Sequence, residues 1–388
     1  MRAFTDCHVH FRQDRMAGMV IPYSARCCER VVAMPNTDPP IHSAEEVRAW
    51  HAMYQQLAGR CCDVRMTAKL LPRTTPQDVR EVAATGLAVG YKLYPAGATT
   101  NSDDGIPAEW IDSPPDRLMG VVQAISDCGL ALLHHGEHPH EFCMLREDRY
   151  LLFMELLYRS FPKLRMTLEH ATTEAGVAFA EARADRVLAT ITPHHLLLTL
   201  DDVVGDRIKP DHFCKPIAKR PRDRAALRRA AGTHAALGSD SAPHPQESKY
   251  WDRGCAGIFN APVLAEVVRM LELPESFTRL NAARFYGLPE TTGRQLEFSE
   301  GPWCPGRKCG DVTPFMWDRP MPHGQVWSIL YRNHEGRIGP RRIVPLHIWW
   351  GQNQYHSPNQ WLLTAHDLDK RATRTFATAN VIEWLHMR

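Results

Sequence analysis

The chain lacks an excess of charge of either sign. Its 388 residues carry 46 Lys and Arg against 44 Asp and Glu, a formal net charge of +2. Nothing in that balance draws it to nucleic acid or to an anionic membrane surface. No apolar run reaches the roughly 18 to 20 residues that a membrane-spanning helix needs, and the opening MRAFTDCHVH places an acid and two histidines where a signal peptide would be apolar. A soluble, cytoplasmic protein with neither nucleic-acid nor membrane partners is therefore expected. CxxC is absent too. The 11 cysteines are odd in number and two pairs are adjacent (Cys27 with Cys28, Cys61 with Cys62), so neither a disulfide framework nor a thiolate zinc cluster has support. Most of them should be reduced, buried small hydrophobes, with Cys304 and Cys309 free thiols on a loop. Internal repeats and low-complexity linkers are missing as well. A hydrophobic share of 44% and a charged share of 23% exclude a disordered or fibrous chain, and the length allows a large core without staples. What stands out is histidine, of which there are 20.

Runs rich in Val, Ile and Leu predict strands near residues 3–11, 30–36, 64–71, 86–94, 130–137, 164–170, 187–195 and 235–244. Most intervals between them read as helix. Ser43 and Glu46 have capping-box spacing at the head of SAEEVRAWHAMYQQLAG, and PQDVREVAATG, DRLMGVVQAISDCG, YLLFMELLYRSF, TEAGVAFAEAR, DRAALRRAAG and APVLAEVVRMLEL are similarly helical. Eight short strands alternating with helices over about 270 residues predict an α/β fold, a parallel (β/α)8 TIM barrel. An open doubly wound sheet is the second choice. The expected division is a barrel catalytic domain over residues 1–300 and an irregular C-terminal extension over 301–388. From about Glu300 the chain is dense in Gly and Pro. The last fifty residues, with Trp349, Trp350, Trp361 and Trp384, show little periodicity and give no clear element until the polar stretch near 372–383.

Polar residues that are unusual in buried strands fall at the C-terminal ends of these runs: His8, His10, Asn36, Lys92, His135, His170 and Asp240. In a barrel those ends converge on one mouth, where active sites lie. Side chains alternate along a strand, so His8 and His10 point the same way and are close enough to bind one ion. Histidine and carboxylate ligands at other strand ends match that pair in hardness. Arg12, two positions further, is placed to hold a substrate carboxylate near the metal.

Taken together, HVHFR, AMPN at 33–36, KLYPAGATTN at 92–101, HHGE at 134–137, EHATT at 169–173, ATITPHHL at 189–196 and GSDSAPH at 238–244 resemble dihydroorotase of the single-function bacterial and fungal type, a member of the amidohydrolase superfamily. The resemblance runs from about Asp6 to about Leu288 in order and without large gaps, with a weaker echo to about 330.

That resemblance implies a hydrolase of pyrimidine biosynthesis, which reversibly cyclises N-carbamoyl-L-aspartate to dihydroorotate and water, working as a homodimer. It implies two zinc ions per subunit. His8, His10 and Asp240 would bind one and His135 and His170 the other, with a hydroxide and Lys92, carbamylated to N6-carboxylysine, bridging them. An unmodified ammonium beside two dications would be repelled, whereas a carbamate offers an oxygen to each. Asp240 would also shuttle the proton. Arg12, Asn36 and His244 would grip the substrate carboxylate with the backbone at Ala256, Thr99 and Thr100 would sit on a loop closing over the ligand, and the backbone of Lys215 in CKPI would read the ring. His134 would face the packing behind the barrel. His194, His195 and His212 carry only supporting contacts.

Three rivals remain at this point. A hydantoinase or allantoinase would share the metal set but has no need of the Arg12, Asn36 and His244 grip. A mononuclear deaminase has no use for Lys92. A non-catalytic scaffold relative would be expected to have lost ligands that are all present here.

Overall fold

The computed structural model describes residues 1–252 and 254–385; the end of the C-terminal extension, 386–388, lies outside them. Eight parallel strands, β1 (Phe4–Val9), β2 (Cys28–Ala33), β3 (Asp63–Leu70), β4 (Ala88–Leu93), β5 (Ala131–His135), β6 (Arg165–Glu169), β7 (Val187–Ile191) and β8 (Ala236–Leu237), pair in sequence order. The ring closes where the chain just past β8 meets β1: Asp240 N–H donates to His8 C=O at 2.8 Å and His10 N–H to Ser241 C=O at 3.1 Å. This is the expected (β/α)8 barrel. Its strands are buried on both faces, which is why they read as nearly continuous apolar runs.

Local signals explain the helices between them. Ser43 and Glu46 form the reciprocal capping box at the start of the helix Ala44–Ala58, and Thr75 with Asp78 does the same for Pro76–Ala84. Two strand expectations overshoot. Residues 193–195 belong to a short helix, Pro193–Leu197, because proline at its first turn and the Thr192 side-chain cap start a helix there. Only Ala236 and Leu237 of 235–244 are strand, since the chain turns through Asp240 at φ 44°.

Among the described helices of eight residues or more, one carried no expectation at all: α1 (Asp14–Cys27), with Pro22 inside it. Every residue from Met19 to Cys27 is buried, so the helix lacks the polar stripe that marks an ordinary surface helix. A second sheet covers its outer side. This sheet corrects the expectation of an irregular extension: β10 (Gln325–Arg332), β11 (Ile338–Asn353), β12 (His356–Asp367), β13 (Ala372–Ala377) and β14 (Val381–Leu385) run in the order β13-β12-β11-β10-β14, antiparallel, with β9 (Glu297–Phe298) added to β10. Alternation is weak because both faces mix polar with aromatic residues, and Gly339, Pro340 and Pro345 sit within β11. Trp327, Ile329, Ile343 and Ile348 of this sheet join the same apolar cluster as Met19, Ile21 and Tyr23 of α1 and the barrel core. Among the described residues no helix is long and apolar enough to cross a membrane.

Candidate active site

At the C-terminal rim of the barrel three side chains meet. The Nε2 atoms of His8 and His10 are 3.3 Å apart, and Asp240 Oδ1 lies 3.4 Å from the first and 3.1 Å from the second. All three are buried, with one ligand atom each within 4.8 Å of the others. Beside them His135 Nδ1 lies 3.1 Å from His170 Nε2, and the His170 ring centroid is 5.0 Å from that of His8. Imidazole nitrogens facing each other at such distances, with little hydrogen to share, suit a shared cation. Burial drives the His10 imidazole down to about 4 and His170 well below its ordinary range, so both are neutral, the form that ligates metal.

Lys92 lies inside this cluster, on β4. It is fully buried, and its Nζ has no hydrogen-bond partner among the described residues; it lies over the face of Tyr94, 5.2 Å from the ring centroid. Burial lowers its pKa to about 8, against the pull of Glu169 and Asp240. His170 Nδ1 is likewise buried without a partner. Orphaned polar atoms are rare in folded proteins. An orphaned lysine Nζ on the same rim as the converging histidines fits a metal centre that these groups would complete.

Two carboxylates hold the histidines in place, and sequence reasoning passed over both. Glu169 Oε2 accepts from His8 Nδ1 in a short contact and is itself held by the Thr167 hydroxyl. Glu137 Oε2 lies 3.0 Å from His135 Nε2. A carboxylate on the far nitrogen fixes which nitrogen of the ring faces the metal. The signal was present in EHATT and HHGE, where an acid neighbours each ligand histidine.

The anion grip adjoins the cluster. Arg12 donates through Nε to Pro243 C=O at 3.0 Å and places NH2 2.9 Å from His244 Nε2. Burial and the Arg12 charge push His244 down to about 2, against the pull of the Ala256 carbonyl. A neutral His244 accepts from the guanidinium and leaves its positive charge to the ligand. Asn36 Nδ2 donates to Thr100 C=O at 3.0 Å, pinning the 95–105 loop, while Asn36 Oδ1 has no partner among the described residues. Buried Lys69 holds the same loop through Asn101 C=O at 2.9 Å and through Asp104. Gly257, at φ 152°, lets the backbone pass against Ala242 and His244: a Cβ there would sit 2.5 Å from Ala242 O and 2.8 Å from His244 Cδ2.

One cavity takes in His8, His10, Arg12, Asn36, Thr99, Thr100, His135, His170, Lys215, Asp240, His244 and Ala256; Lys92, fully buried, is not part of its lining. Tyr94, Ala242 and Gly257 complete the lining. Arg12, His170 and Asp240 all have positive φ, at 59°, 42° and 44°, and backbone strain of this kind gathers at functional sites.

The other histidines lie outside the cavity. His134 points away from it, with Nδ1 2.9 Å from the Tyr150 hydroxyl. His194 packs on Asn260 at 3.1 Å, and His212 lies 2.8 Å from Asp202 C=O. His195 is bonded through both ring nitrogens, to Thr192 at 2.9 Å and to Pro216 C=O at 3.0 Å. It groups with His194 and Cys214 within ligand distance, but its engaged nitrogens, and a thiol that burial holds far above its ordinary range, make this a hydrogen-bonded cluster.

No family model matches the chain. A dihydroorotase of Hahella chejuensis is 36% identical over 313 residues, spanning 77% of this chain and 89% of that one. The crystal structure of a dihydroorotase from Campylobacter jejuni superposes with a TM-score of 0.75 at 31% identity, covering 84% of this chain and 96% of its own. That of the Saccharomyces cerevisiae dihydroorotase in complex with 5-fluoroorotic acid gives 0.75 at 29%, covering 84% and 97%. With this identity sustained over nearly the whole of a relative, and the same barrel beneath it, the chain belongs to the dihydroorotase family of the amidohydrolase superfamily.

Proposed function

We propose that the chain is a cytoplasmic, zinc-dependent dihydroorotase that interconverts dihydroorotate plus water with N-carbamoyl-L-aspartate, the third step of de novo pyrimidine biosynthesis, and that it works as a homodimer. The barrel over residues 1–300 carries the chemistry. The observation that carries this reading is the meeting, in one cavity, of a metal-type cluster (His8, His10 and Asp240) with an anion grip in which Arg12 and His244 are 2.9 Å apart. A ring amide bearing a carboxylate needs both halves.

His8, His10 and Asp240 would hold one zinc ion and His135 and His170 the second, with Lys92 between them as a carbamate. When bound, the ions supply Lewis acidity, acidifying a water and polarising the amide carbonyl. The chain's own groups do the rest. Arg12 and Asn36, with the Ala256 N–H, fix the substrate carboxylate, and the His244 ring holds the Arg12 guanidinium for it, so that the substrate ring is set against the cluster. Thr99 and Thr100 line the cavity beside Asn36, and the loop that carries them narrows the mouth against water. Lys215 borders the cavity from the opposite segment. Asp240 carries the proton. The neighbouring His10 and His8 hold its pKa well below the usual range in spite of burial, so it starts as a carboxylate, in place to take a proton and deliver it to the leaving amide nitrogen. In the cyclising direction the same oxygen takes that proton back.

The test is an absorbance assay of dihydroorotate hydrolysis with zinc quantified in the same sample. Turnover scaling with about two zinc ions per chain is expected. Opening of hydantoins with dihydroorotate untouched would reassign the substrate, and full activity at one zinc per chain would reassign the centre.

A further inference from the structure

Lys249 belongs to none of the groups so far given a role, yet it is a buried lysine bonded to the wall of the cavity. It lies in the turn Ser248–Asp252 and is 7% exposed. Its Nζ donates to three backbone carbonyls: Gly257 O at 2.5 Å, Phe213 O at 3.4 Å and Cys255 O at 3.4 Å. Among the described residues it forms no ion pair of 4.0 Å or less, so the charge is spent on those carbonyls. They come from two segments, Phe213 two residues ahead of Lys215, and Cys255 with Gly257 on either side of Ala256. Both segments border the cavity.

The geometry of a trans peptide turns these contacts into a statement about the site. The Cys255–Ala256 bond is trans, and in a trans peptide the N–H points opposite to the C=O. With the Cys255 carbonyl drawn towards Lys249, the Ala256 N–H is turned away from it, and Ala256 itself lines the cavity beside Arg12 and His244. The neighbouring amides are occupied, Cys255 N–H with Ser248 C=O and Gly257 N–H with Phe213 C=O, each at 3.0 Å. Ala256 N–H donates to nothing among the described residues.

We propose that Lys249 is a positioning residue for anion binding: its ammonium fixes the Cys255 and Gly257 carbonyls and clamps them to the Phe213 segment, presetting the Ala256 N–H as a donor to the substrate carboxylate. This rests on the dihydroorotase reading. A donor held in place before binding loses no ordering entropy when the anion arrives, and its contribution falls on the affinity for the carboxylate rather than on the bond-breaking step.

The experiment compares Lys249→Met with Lys249→Arg and the wild-type chain, measuring KM and kcat for dihydroorotate, the inhibition constant of orotate, zinc per chain and the thermal midpoint. In Lys249→Met we expect KM and the orotate constant to rise together by about tenfold, as for loss of one charge-assisted hydrogen bond, with kcat within about threefold and zinc unchanged. Lys249→Arg, which keeps the charge, should recover most of the affinity. Unchanged KM in Lys249→Met overturns the proposal, and so does a parallel fall of kcat, zinc and thermal midpoint, which marks a merely structural lysine. Should Lys249→Met fail to fold, Lys249→Gln is read by the same criteria. A wild-type chain inactive on dihydroorotate would instead overturn the dihydroorotase reading.

Discussion

The barrel and the sheet that follows it are both β structures, yet they distribute chemistry in opposite ways. Barrel strands run from two to eight residues, all in one direction, so their C-terminal ends gather at a single rim. Side chains far apart in sequence, His8, Lys92, His135, His170 and Asp240, meet there within a few ångströms. Strand β11 runs for 16 residues and its neighbours run against it, which spreads polar and aromatic side chains along two faces and brings no such cluster together among the described residues. Parallel topology concentrates reactive groups and antiparallel topology lays out surface. Helix α1 joins the two. Its Tyr23 ring lies 5.6 Å from Trp327 and 5.8 Å from Phe259, and its hydroxyl accepts from Ile348 N–H at 3.0 Å.

The sharpest way to break this contrast is at Asp240. If the rim alone carries the chemistry, Asp240→Ala should lower kcat by about three orders of magnitude or more. Metal analysis should still find part of the zinc, because His8, His10, His135 and His170 remain. Wild-type turnover in this variant, followed by the absorbance assay, would remove Asp240 from the proton path and leave the rim without its acid–base group.

Legibility in the sequence divides along the same line. Each barrel strand is a short apolar run ending in an incongruous polar residue, and burial on both faces makes the run while the rim makes the polar end. Those two constraints act within a few residues, so they can be read locally. Helix α1 could not be read because what buries its outer face, Trp327 and Ile348, lies some three hundred residues away. Glu169 and Glu137 stood inside recognised motifs, but their work is to hold another residue's ring, and only the fold brings Glu169 to His8. The role of Lys249 depends on a peptide orientation that no pattern of residue types records.

Gly18 tests whether the second sheet is coupled to the barrel or merely lies on it. Glycine inside a helix costs about 1 kcal/mol relative to alanine, so its presence in α1 needs a cause. A Cβ at that position would sit 2.9 Å from Trp361 Nε1 and 3.3 Å from its Cδ1. The indole of β12 occupies the space a side chain would take. Gly18→Ala should therefore destabilise the chain by about 1 to 2 kcal/mol net of the helix gain. In a Trp361→Ala background the same substitution should become neutral or stabilising, and a thermal-unfolding double-mutant cycle reads the coupling. Additive effects would mean that the sheet gives way freely and that the contact is incidental.

The smallest effect concerns pH at the same junction. Glu266, on the helix Leu264–Met270, accepts from the N–H of Gln325, the first residue of β10, at 2.8 Å, and Gln325 Nε2 donates in turn to Arg26 C=O of α1 at 2.9 Å. Burial raises the Glu266 carboxyl to about 7, although the Gln325 amide pulls the other way. An acid whose folded pKa is raised binds its proton more tightly in the folded chain than in the unfolded one. The stability it contributes is fully present below the ordinary value of 4.5 and is lost as pH rises through about 7. The upper limit of that loss is about 3 kcal/mol, at 1.36 kcal/mol per pKa unit. Glu266→Gln keeps an acceptor for the Gln325 N–H and carries no charge to bury. Its thermal midpoint should fall less between pH 5 and pH 8 than that of the wild type, the two curves converging towards pH 5 and parting above it. Parallel curves would show that the carboxyl meets water when it ionises, and that the barrel and the sheet separate there more readily than their shared apolar cluster implies.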